Sequence, residues 1–331
     1  MIKHIKRMMV FLSLAFVCVA AVVSLPRLSS AETSAYRLKW LFNASVVGDI
    51  YADVHGEFEA VGLNVDVKEG GPERDAIREL ELGYADFGVA SADQVIRALA
   101  KGSPVIVIAQ LFQINPLQWI YRNEKMDIVR VQDLKGKVVG ITFGGNDETI
   151  MRTLMATAGI TEKDIQIFSV RYDYTPFYQN RVDIWPVYRN SQAPILEKKL
   201  GELGESVSYF NPAAHDVKFV ANSVVTSKQM MENRPDVVKK FVRALLRGWE
   251  LALDPDNEAK ALQTLKAFDK DTAPDIMQKQ LTLTRSLIKP FKDTRIGTID
   301  MQAWQQTEQI MLEQKQITNP VAVEKAIRKP F

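Results

Sequence analysis

The chain has 331 residues, of which 47% are hydrophobic and 25% are charged. These proportions are typical of a globular protein, and the length is sufficient for two domains with separate cores. The formal net charge is only +2, which argues against a nucleic-acid-binding surface, because such a surface needs concentrated positive charge.

The N-terminal segment predicts a cleavable signal peptide over residues 1–31. Three basic residues precede an apolar run over 8–23, and small residues follow at 29–31. A membrane anchor is the alternative, because the run approaches the roughly 18 residues that can span a bilayer. The small residues directly before the polar Glu32 favour cleavage and export to the periplasm.

Cleavage would change both the charge and the chemistry of the chain. The signal segment holds four of the 42 Lys and Arg residues and none of the 40 Asp and Glu residues, which leaves 38 basic residues and a net charge of −2. It also holds the single cysteine, Cys18. The mature chain would therefore form no disulfide and offer no thiol to a substrate or a metal.

Strands and helices then alternate along the chain. The predicted elements are a strand over 36–42, a helix over 49–59, a strand over 63–67, a helix over 74–82, a turn and strand over 83–90, a helix over 93–100 and a strand over 105–110. This alternation predicts parallel βαβ units in an open, doubly wound α/β sheet.

The pattern restarts near residue 119 and predicts a second unit. Its predicted elements are a strand over 119–122, a helix, turn and strand over 133–141, a helix from about 144 to 158, strands over 165–170 and 182–188, and a returning strand over 218–227. We therefore predict a discontinuous first lobe over 34–120 and 223–331 and a second lobe over 121–222. The two crossovers would act as a hinge. The segment after about 255 is expected to be first-lobe helix or a dimer contact.

Six motifs occur in order between residues 36 and 255. They are WLFN at 40–43 with YA at 51–52 and GEFEAVGLNV at 56–65, GYADFG at 83–88, DLKGKVVG at 133–140, VDI at 182–184, NRPDVVKKF at 233–241 and ALLRG at 244–248. In this order they resemble the NMT1/THI5-like solute-binding family. The resemblance implies a two-lobed periplasmic-binding-protein fold of type II, in which each lobe is an open, mostly parallel sheet flanked by helices. It also implies a ligand cleft between the lobes for a thiamine-precursor pyrimidine, an alkanesulfonate, nitrate or a flavin.

The sequence differs from the pyrimidine synthases of this family. Those enzymes carry a cysteine-rich motif and Lys and His residues at the first-lobe turn, whereas the turn at 89–94 here reads VASADQ. The mature histidines, His55 and His215, lack the spacing of a metal site. We therefore expect a binding protein without catalytic activity, metal or cofactor. Gln192 stands where the pyrimidine-binding transport proteins of the family often show an acidic residue.

In open α/β sheets, ligands bind beyond the carboxyl ends of the strands, so the loops after the strands supply the candidate side chains. Aromatic faces there would stack on a flat ring, and amides would orient it. The competing interpretations are helix capping for Ser91 and Asp93, turn formation for Asn115 and core packing for the tryptophans. The candidate ligand-binding residues are Trp40, Asn43, Ser91, Asp93, Asn115, Gly145, Asn146, Tyr172, Asp173, Trp185, Tyr188 and Gln192.

From these residues we predict a periplasmic substrate-binding protein of an ABC importer. The preferred ligand is an aromatic heterocycle, such as a thiamine-precursor pyrimidine or a flavin-like ring. Asp147 and Glu148, in a predicted first helical turn, would repel a doubly charged anion. A sulfonate or small-anion binder, a sensory ligand-binding module and a pyrimidine-synthase-like enzyme are the alternatives. The expected partner is an ABC permease in the inner membrane, and the protein is expected to be a monomer that binds no nucleic acid.

Overall fold

The structure, a computed structural model, describes residues 33–328 with the exception of residues 72 and 172. The predicted signal peptide at 1–31 lies outside the described residues, as does the candidate Tyr172. In the described part of the chain, no helix combines the length and the apolar character needed to cross a membrane.

The first sheet has the strand order β2-β1-β3-β10-β4. Its strands are β1 (Thr33–Arg37), β2 (Asn64–Lys68), β3 (Phe87–Ala90), β4 (Val105–Gln110) and β10 (Ser223–Ser227). Strands β1, β2 and β3 pair in parallel, whereas β10 runs antiparallel between β3 and β4. Every residue of β3 and β4 is buried, as expected for strands that are covered by helices on both faces.

The second sheet has the strand order β7-β6-β8-β5-β9. Its strands are β5 (Leu117–Arg122), β6 (Val138–Ile141), β7 (Gln166–Ser169), β8 (Ile184–Tyr188) and β9 (Val207–Phe210). Here β5 is the reversed strand, antiparallel to both β8 and β9. The predicted sheets were mostly parallel. In each observed sheet, the strand that enters from the other sheet is antiparallel to its neighbours.

Helices cover both sheets. The described α-helices are α1 (Val47–Val54), α2 (Ala76–Glu81), α3 (Ala92–Ala100), α4 (Asn146–Thr157), α5 (Thr175–Tyr178), α6 (Gln192–Glu202), α7 (Lys228–Asn233), α8 (Pro235–Leu253), α9 (Glu258–Phe268), α10 (Pro274–Ile288) and α11 (Met301–Glu313). Helices α4, α5 and α6 follow strands of the second sheet, and α1, α2, α3 and α7 follow strands of the first sheet. Helices α8 to α11 come one after another after α7. The fold is therefore a two-lobed α/β structure, as predicted.

The two crossover segments, residues 111–116 and 211–222, run side by side between the sheets. The backbone N–H groups of Leu111 and Phe112 both donate to the carbonyl oxygen of Asn222, at 3.0 and 3.3 Å. The predicted lobe boundary at residue 120 falls inside β5, whose partners are β8 and β9 of the second sheet. The hydrogen-bonded pair of crossovers has the arrangement of a hinge.

The first-lobe core is built around Phe241 of α8. Its ring stacks on Phe87 of β3 with a centroid distance of 3.7 Å and meets Tyr36 of β1 edge-on at 5.0 Å. Helices α1 and α8 approach closely where Gly48 faces Trp249, because a Cβ atom at Gly48 would lie 2.0 Å from the indole ring. Glycine is thus required for this helix contact.

The two C-terminal helices contact both lobes. In α10, Leu281 packs in the first-lobe core, while Lys279 forms an ion pair of 2.9 Å with Glu197 of α6. In α11, Met311 belongs to a first-lobe cluster and the adjacent Ile310 belongs to the main second-lobe cluster. In the segment after residue 255, α10 and α11 therefore each connect the first lobe to the second.

Strand β4 lies at the edge of the first sheet, and later parts of the chain cover it. Val107 forms a parallel bridge with Ile327, and Arg328 N donates to the Val107 carbonyl oxygen at 2.9 Å. Gln110 forms an antiparallel bridge with Gly297. These bridges use hydrogen-bonding groups that an edge strand otherwise leaves open.

Candidate functional site

The carboxyl ends of β1 and β8 face each other across the cleft between the lobes. Lys39 Nζ, two residues after β1, lies 3.3 Å from the hydroxyl oxygen of Tyr188. Asn146 Nδ2, at the start of α4, donates to the same oxygen at 3.1 Å. Tyr188 and Asn146 were predicted from the sequence, whereas Lys39 was missed although it adjoins Trp40. The tyrosine hydroxyl therefore joins one side chain from each lobe.

The loop after β1 carries Trp40 and Asn43. Strand β1 ends at Arg37, so both residues lie in a loop rather than at the end of the predicted strand. Asn43 Oδ1 accepts from Ser45 N at 2.8 Å and thereby caps a 3-10 turn over Ala44–Val46. Trp40 is half-buried. The contact of either residue with a ligand stays a prediction.

Ser91 and Asp93 are buried at the start of α3. The Ser91 hydroxyl lies 2.6 Å from Asp93 Oδ1, and Ser91 N donates to Gln94 Oε1 at 3.1 Å, which forms a capping box. Asp93 is also ion-paired with Arg97, one turn further along. The capping role of Ser91 is thus present in the structure, and Asp93 holds a cationic side chain.

Arg97 is a residue of the cleft that the sequence did not single out. Its guanidinium group reaches from the first lobe to the carbonyl oxygen of Gly144 in the second, at 3.5 Å. It also donates to Gln316 Oε1 at 3.4 Å, and this oxygen accepts at 3.0 Å from Thr149 of α4. Arg97 and Gln316 therefore form a second polar link between the lobes.

The N-terminus of α4 carries Gly145, Asn146 and Asp147. Asp147 is buried and accepts from Thr142 N at 2.6 Å. Burial raises the pKa of this carboxyl to about 6, although the hydrogen bonds from Thr142 act in the opposite direction. A Cβ atom at Gly145 would lie 2.4 Å from Asp147 Oδ1. The helix end is therefore already occupied by a carboxyl group, which disfavours a phosphate there.

Trp185 is a buried residue of β8. Its side chain is 1% exposed and packs in the second-lobe core, with ring centroids 5.8 Å from Tyr174 and 6.0 Å from Phe177. This burial agrees with the competing interpretation of core packing. A contact of Trp185 with a ligand stays a prediction.

The remaining second-lobe candidates take local roles in the structure. Asp173 is exposed and its Oδ1 accepts from Thr175 N at 2.9 Å, and this contact lowers the pKa of the carboxyl. Gln192 Oε1 accepts from Tyr188 N at 2.9 Å, which fixes the loop between β8 and α6. Neither contact tests a ligand role.

Asn115 lies in the first crossover and ties it to the second. Its Nδ2 donates to the Phe219 carbonyl oxygen at 3.0 Å, and its Oδ1 accepts from Leu117 N at 2.9 Å. A cavity of about 260 Å³ adjoins this point and is lined by both crossovers, by Ile150 of α4 and by Asp300 at the start of α11. This cavity flanks the hinge and does not include Lys39 or Tyr188, so it is distinct from the contact between the strand ends.

Four further polar residues meet where α10 reaches the loop after β8. Asn190 Nδ2 donates to Thr284 Oγ1 at 2.9 Å, and Gln280 Nε2 donates to the Ser191 carbonyl oxygen at 2.7 Å. The side chains of Asn190 and Gln280 are 0% and 1% exposed. The sequence did not indicate this contact, because Asn190 and Thr284 lie on different lobes and no local motif connects them.

The paired crossovers and the facing strand ends define a protein of the periplasmic-binding-protein fold. The periplasmic aliphatic sulphonate binding protein SsuA from Escherichia coli has a similar structure, with a TM-score of 0.72 at 18% identity over 91% of this chain and 94% of that one. The family model described as NMT1/THI5 like matches residues 43–259. The chain therefore belongs to the NMT1/THI5-like family, which confirms the resemblance seen in the sequence.

The chain is also similar in sequence to two named binding proteins. The riboflavin-binding protein RibY of Chloroflexus aurantiacus is 27% identical over 255 residues, which cover 74% of this chain and 70% of that protein. The formylaminopyrimidine-binding protein of Halalkalibacterium halodurans is 25% identical over 301 residues, which cover 89% of both chains.

Proposed function

We propose that the protein is the periplasmic substrate-binding protein of an ABC importer and captures a small organic solute between its lobes. The observation that carries this proposal is the contact of Lys39 with Tyr188, which closes the carboxyl end of one sheet against that of the other. Ligands of open α/β sheets bind at this edge. Hinged lobes then present one surface when open and another when closed, which a permease can distinguish.

The preferred solute is an aromatic heterocycle. Trp40 and Tyr188 are both half-buried at the cleft and offer flat apolar surface. Asp93 and Asp147 place buried carboxyl groups at the helix ends that would otherwise receive an anion. The names of the two relatives, which refer to riboflavin and to a formylaminopyrimidine, support this ligand class.

A sulfonate is the second candidate, and one observation favours it. The Lys39 side chain lies at the cleft, where it donates a hydrogen bond to the Tyr188 hydroxyl. A singly charged anion would receive an ion pair there. The likeness to SsuA concerns the fold alone at this level of identity.

The first experiment is to express residues 1–331, purify the exported protein, denature it gently and identify the released small molecules by mass spectrometry. A tightly bound solute stabilises the folded state and is retained through purification. We expect a heterocyclic mass and an N-terminus at residue 32. Release of a sulfonate would retain the receptor function and overturn the heterocycle. Turnover of the solute by the folded protein would overturn the assignment as a binding protein.

A further inference from the structure

We infer that the carboxamides of Asn190 and Gln280 form a subsite that accepts hydrogen bonds from N–H groups of the captured solute. The inference rests on the proposed receptor function and concerns the chemical class of its ligand. Its basis is a ring of three hydrogen bonds between the two lobes, which the backbone between Asn190 and Ser191 closes. Asn190 contacts Thr284, Thr284 donates back along α10 to the Gln280 carbonyl oxygen at 2.8 Å, and Gln280 contacts Ser191, the neighbour of Asn190.

The ring fixes the orientation of the Asn190 amide. The Thr284 hydroxyl has a single hydrogen, and it is directed to the Gln280 carbonyl oxygen. Toward Asn190 the threonine oxygen can therefore only accept, so the nitrogen of the Asn190 amide must face it. The Asn190 oxygen is consequently turned away from Thr284.

The Gln280 amide is fixed by the same reasoning. Its partner is the backbone carbonyl oxygen of Ser191, which has no hydrogen to donate. The amide nitrogen must face that oxygen, and an exchange of the nitrogen and oxygen positions would bring two acceptors together. In both side chains the amide nitrogen thus makes the hydrogen bond between the lobes, and the amide oxygen is turned away from it.

Both of these acceptors are buried without a partner. Among the described residues, neither Asn190 Oδ1 nor Gln280 Oε1 receives a hydrogen bond. Asn222 Oδ1, in the second crossover, is a third buried carboxamide oxygen in this condition. Nearly all buried polar groups in folded proteins are paired, because leaving one unpaired is costly. These oxygens therefore require donors that the described part of the chain does not supply.

The four residues adjoin the loop that follows β8 and the first crossover. Asn190 is two residues beyond Tyr188, and the intervening Arg189 donates its N–H to the Pro116 carbonyl oxygen of the first crossover at 2.8 Å. Helix α10 packs on the 3-10 turn Ala44–Val46 that follows β1. The Asn190 and Gln280 side chains thus lie where α10 meets the loop that follows β8, next to Tyr188.

Carboxamide oxygens at this place select the ligand by its donors. An exocyclic amine or an imide N–H of a heterocycle would satisfy them, whereas a sulfonate or carboxylate has only acceptor atoms and would be repelled. A site built to hydrogen-bond a donor rejects analogues that lack it, because its own polar groups then stay unpaired. The subsite therefore favours amino or imide heterocycles over acceptor-only anions.

The test compares each of two ligands with an analogue that lacks the donor. The probes are 4-amino-5-hydroxymethyl-2-methylpyrimidine with its 4-dimethylamino analogue, and riboflavin with N3-methylriboflavin. Dissociation constants are measured by calorimetry for the wild type, for Gln280→Met and for Gln302→Met, an exposed glutamine of α11 that serves as the matched control. Methionine preserves the length of the side chain and removes both amide atoms.

We expect the wild type to prefer the donor-bearing member of one pair by about tenfold or more, the equivalent of one hydrogen bond. Gln280→Met should bring this ratio close to one, and Gln302→Met should keep it. Equal binding of both members by the wild type would overturn the inference, whatever the variants do. Binding of ethanesulfonate with neither pair bound would overturn it and leave the receptor function standing. Failure to bind any probe, with no small molecule released on denaturation, would overturn both.

Discussion

The Nζ atom of Lys39 and the hydroxyl oxygen of Tyr188 lie 3.3 Å apart although the two residues belong to different lobes. The same hydroxyl oxygen accepts a hydrogen bond from Asn146 Nδ2 at 3.1 Å. One phenol oxygen therefore connects the loop after β1, the end of β8 and the start of α4. Such a connection exists only while the lobes are closed.

Tyr188→Phe should weaken the closed state. The substitution keeps the ring and removes the acceptor of two hydrogen bonds, each of which contributes about 0.5–1.5 kcal/mol. We expect the dissociation constant of the solute to rise up to about tenfold and the radius of gyration from X-ray scattering to increase. Tyr84→Phe, at an exposed tyrosine, is the control. An unchanged dissociation constant in Tyr188→Phe would show that the hydroxyl does not hold the cleft closed.

Asn115→Ala should loosen the hinge. The asparagine side chain joins the crossovers through Phe219 and caps the start of β5 through Leu117. We expect the free energy of unfolding in urea to fall by about 1–2 kcal/mol, as for the loss of two neutral hydrogen bonds. Asn319→Ala, at an exposed asparagine, should change it little. A loss of affinity without any loss of stability would instead favour the ligand contact predicted from the sequence.

Trp40→Phe should mainly reduce the affinity for the solute, whereas Trp185→Phe should mainly reduce the stability of the fold. Trp185 is enclosed in the second-lobe core, so its replacement should lower the free energy of unfolding by roughly 1–3 kcal/mol and leave the affinity unchanged. Trp40 is half-buried at the cleft, so its replacement should reduce affinity and have a smaller effect on stability. Urea unfolding and calorimetric titration measure the two quantities. Equal losses of affinity in both variants would contradict the assignment of Trp185 to the core.

Asp49→Asn should reduce the pH dependence of stability. Burial raises the pKa of Asp49 to about 7, and the hydrogen bonds from Tyr36 and Trp249 oppose this shift. Between about pH 4 and pH 7 the folded protein holds a proton that the unfolded chain releases. The free energy of unfolding therefore falls as pH rises through this window, by up to about 1.4 kcal/mol per pH unit for this group. Its stabilising contribution is complete below pH 4 and is lost above pH 7.

Urea unfolding at pH 5 and pH 8 tests this effect in three proteins. The wild type should lose more stability between the two values than Asp49→Asn, since asparagine carries no titrating proton. Asp271→Asn, at an exposed aspartate between α9 and α10, should behave as the wild type. The same loss in all three proteins would show that Asp49 does not hold the proton.

The sequence predicts most of the first lobe because its signals there are local. Strand β4 was predicted with the observed bounds, Val105–Gln110, since a run of buried apolar residues has few alternatives. The burial of Trp185 could not be predicted in the same way. Strand β8 is covered on both faces, with Ile184, Trp185 and Val187 all buried, so no alternation of polar and apolar residues shows which side chain faces the cleft.

The contacts that join the lobes were the least predictable part of the site. Gln280 and Thr284 are one helical turn apart in α10 and have the appearance of ordinary polar helix residues. Their partners, Ser191 and Asn190, are about ninety positions earlier in the chain. A contact of this kind depends on how α10 packs against the second lobe, and no spacing within either segment encodes that packing.

The bridges of Ile327 and Gly297 to β4 have a consequence for the protein in the crowded periplasm proposed for it. An open strand edge is a template on which a second polypeptide can add by backbone pairing, a common route to aggregation. At β4, Ile327 and the loop before α11 already take up part of this pairing. These bridges leave less of that edge open to a neighbouring molecule, and removal of the segment around Ile327 would take away part of this protection.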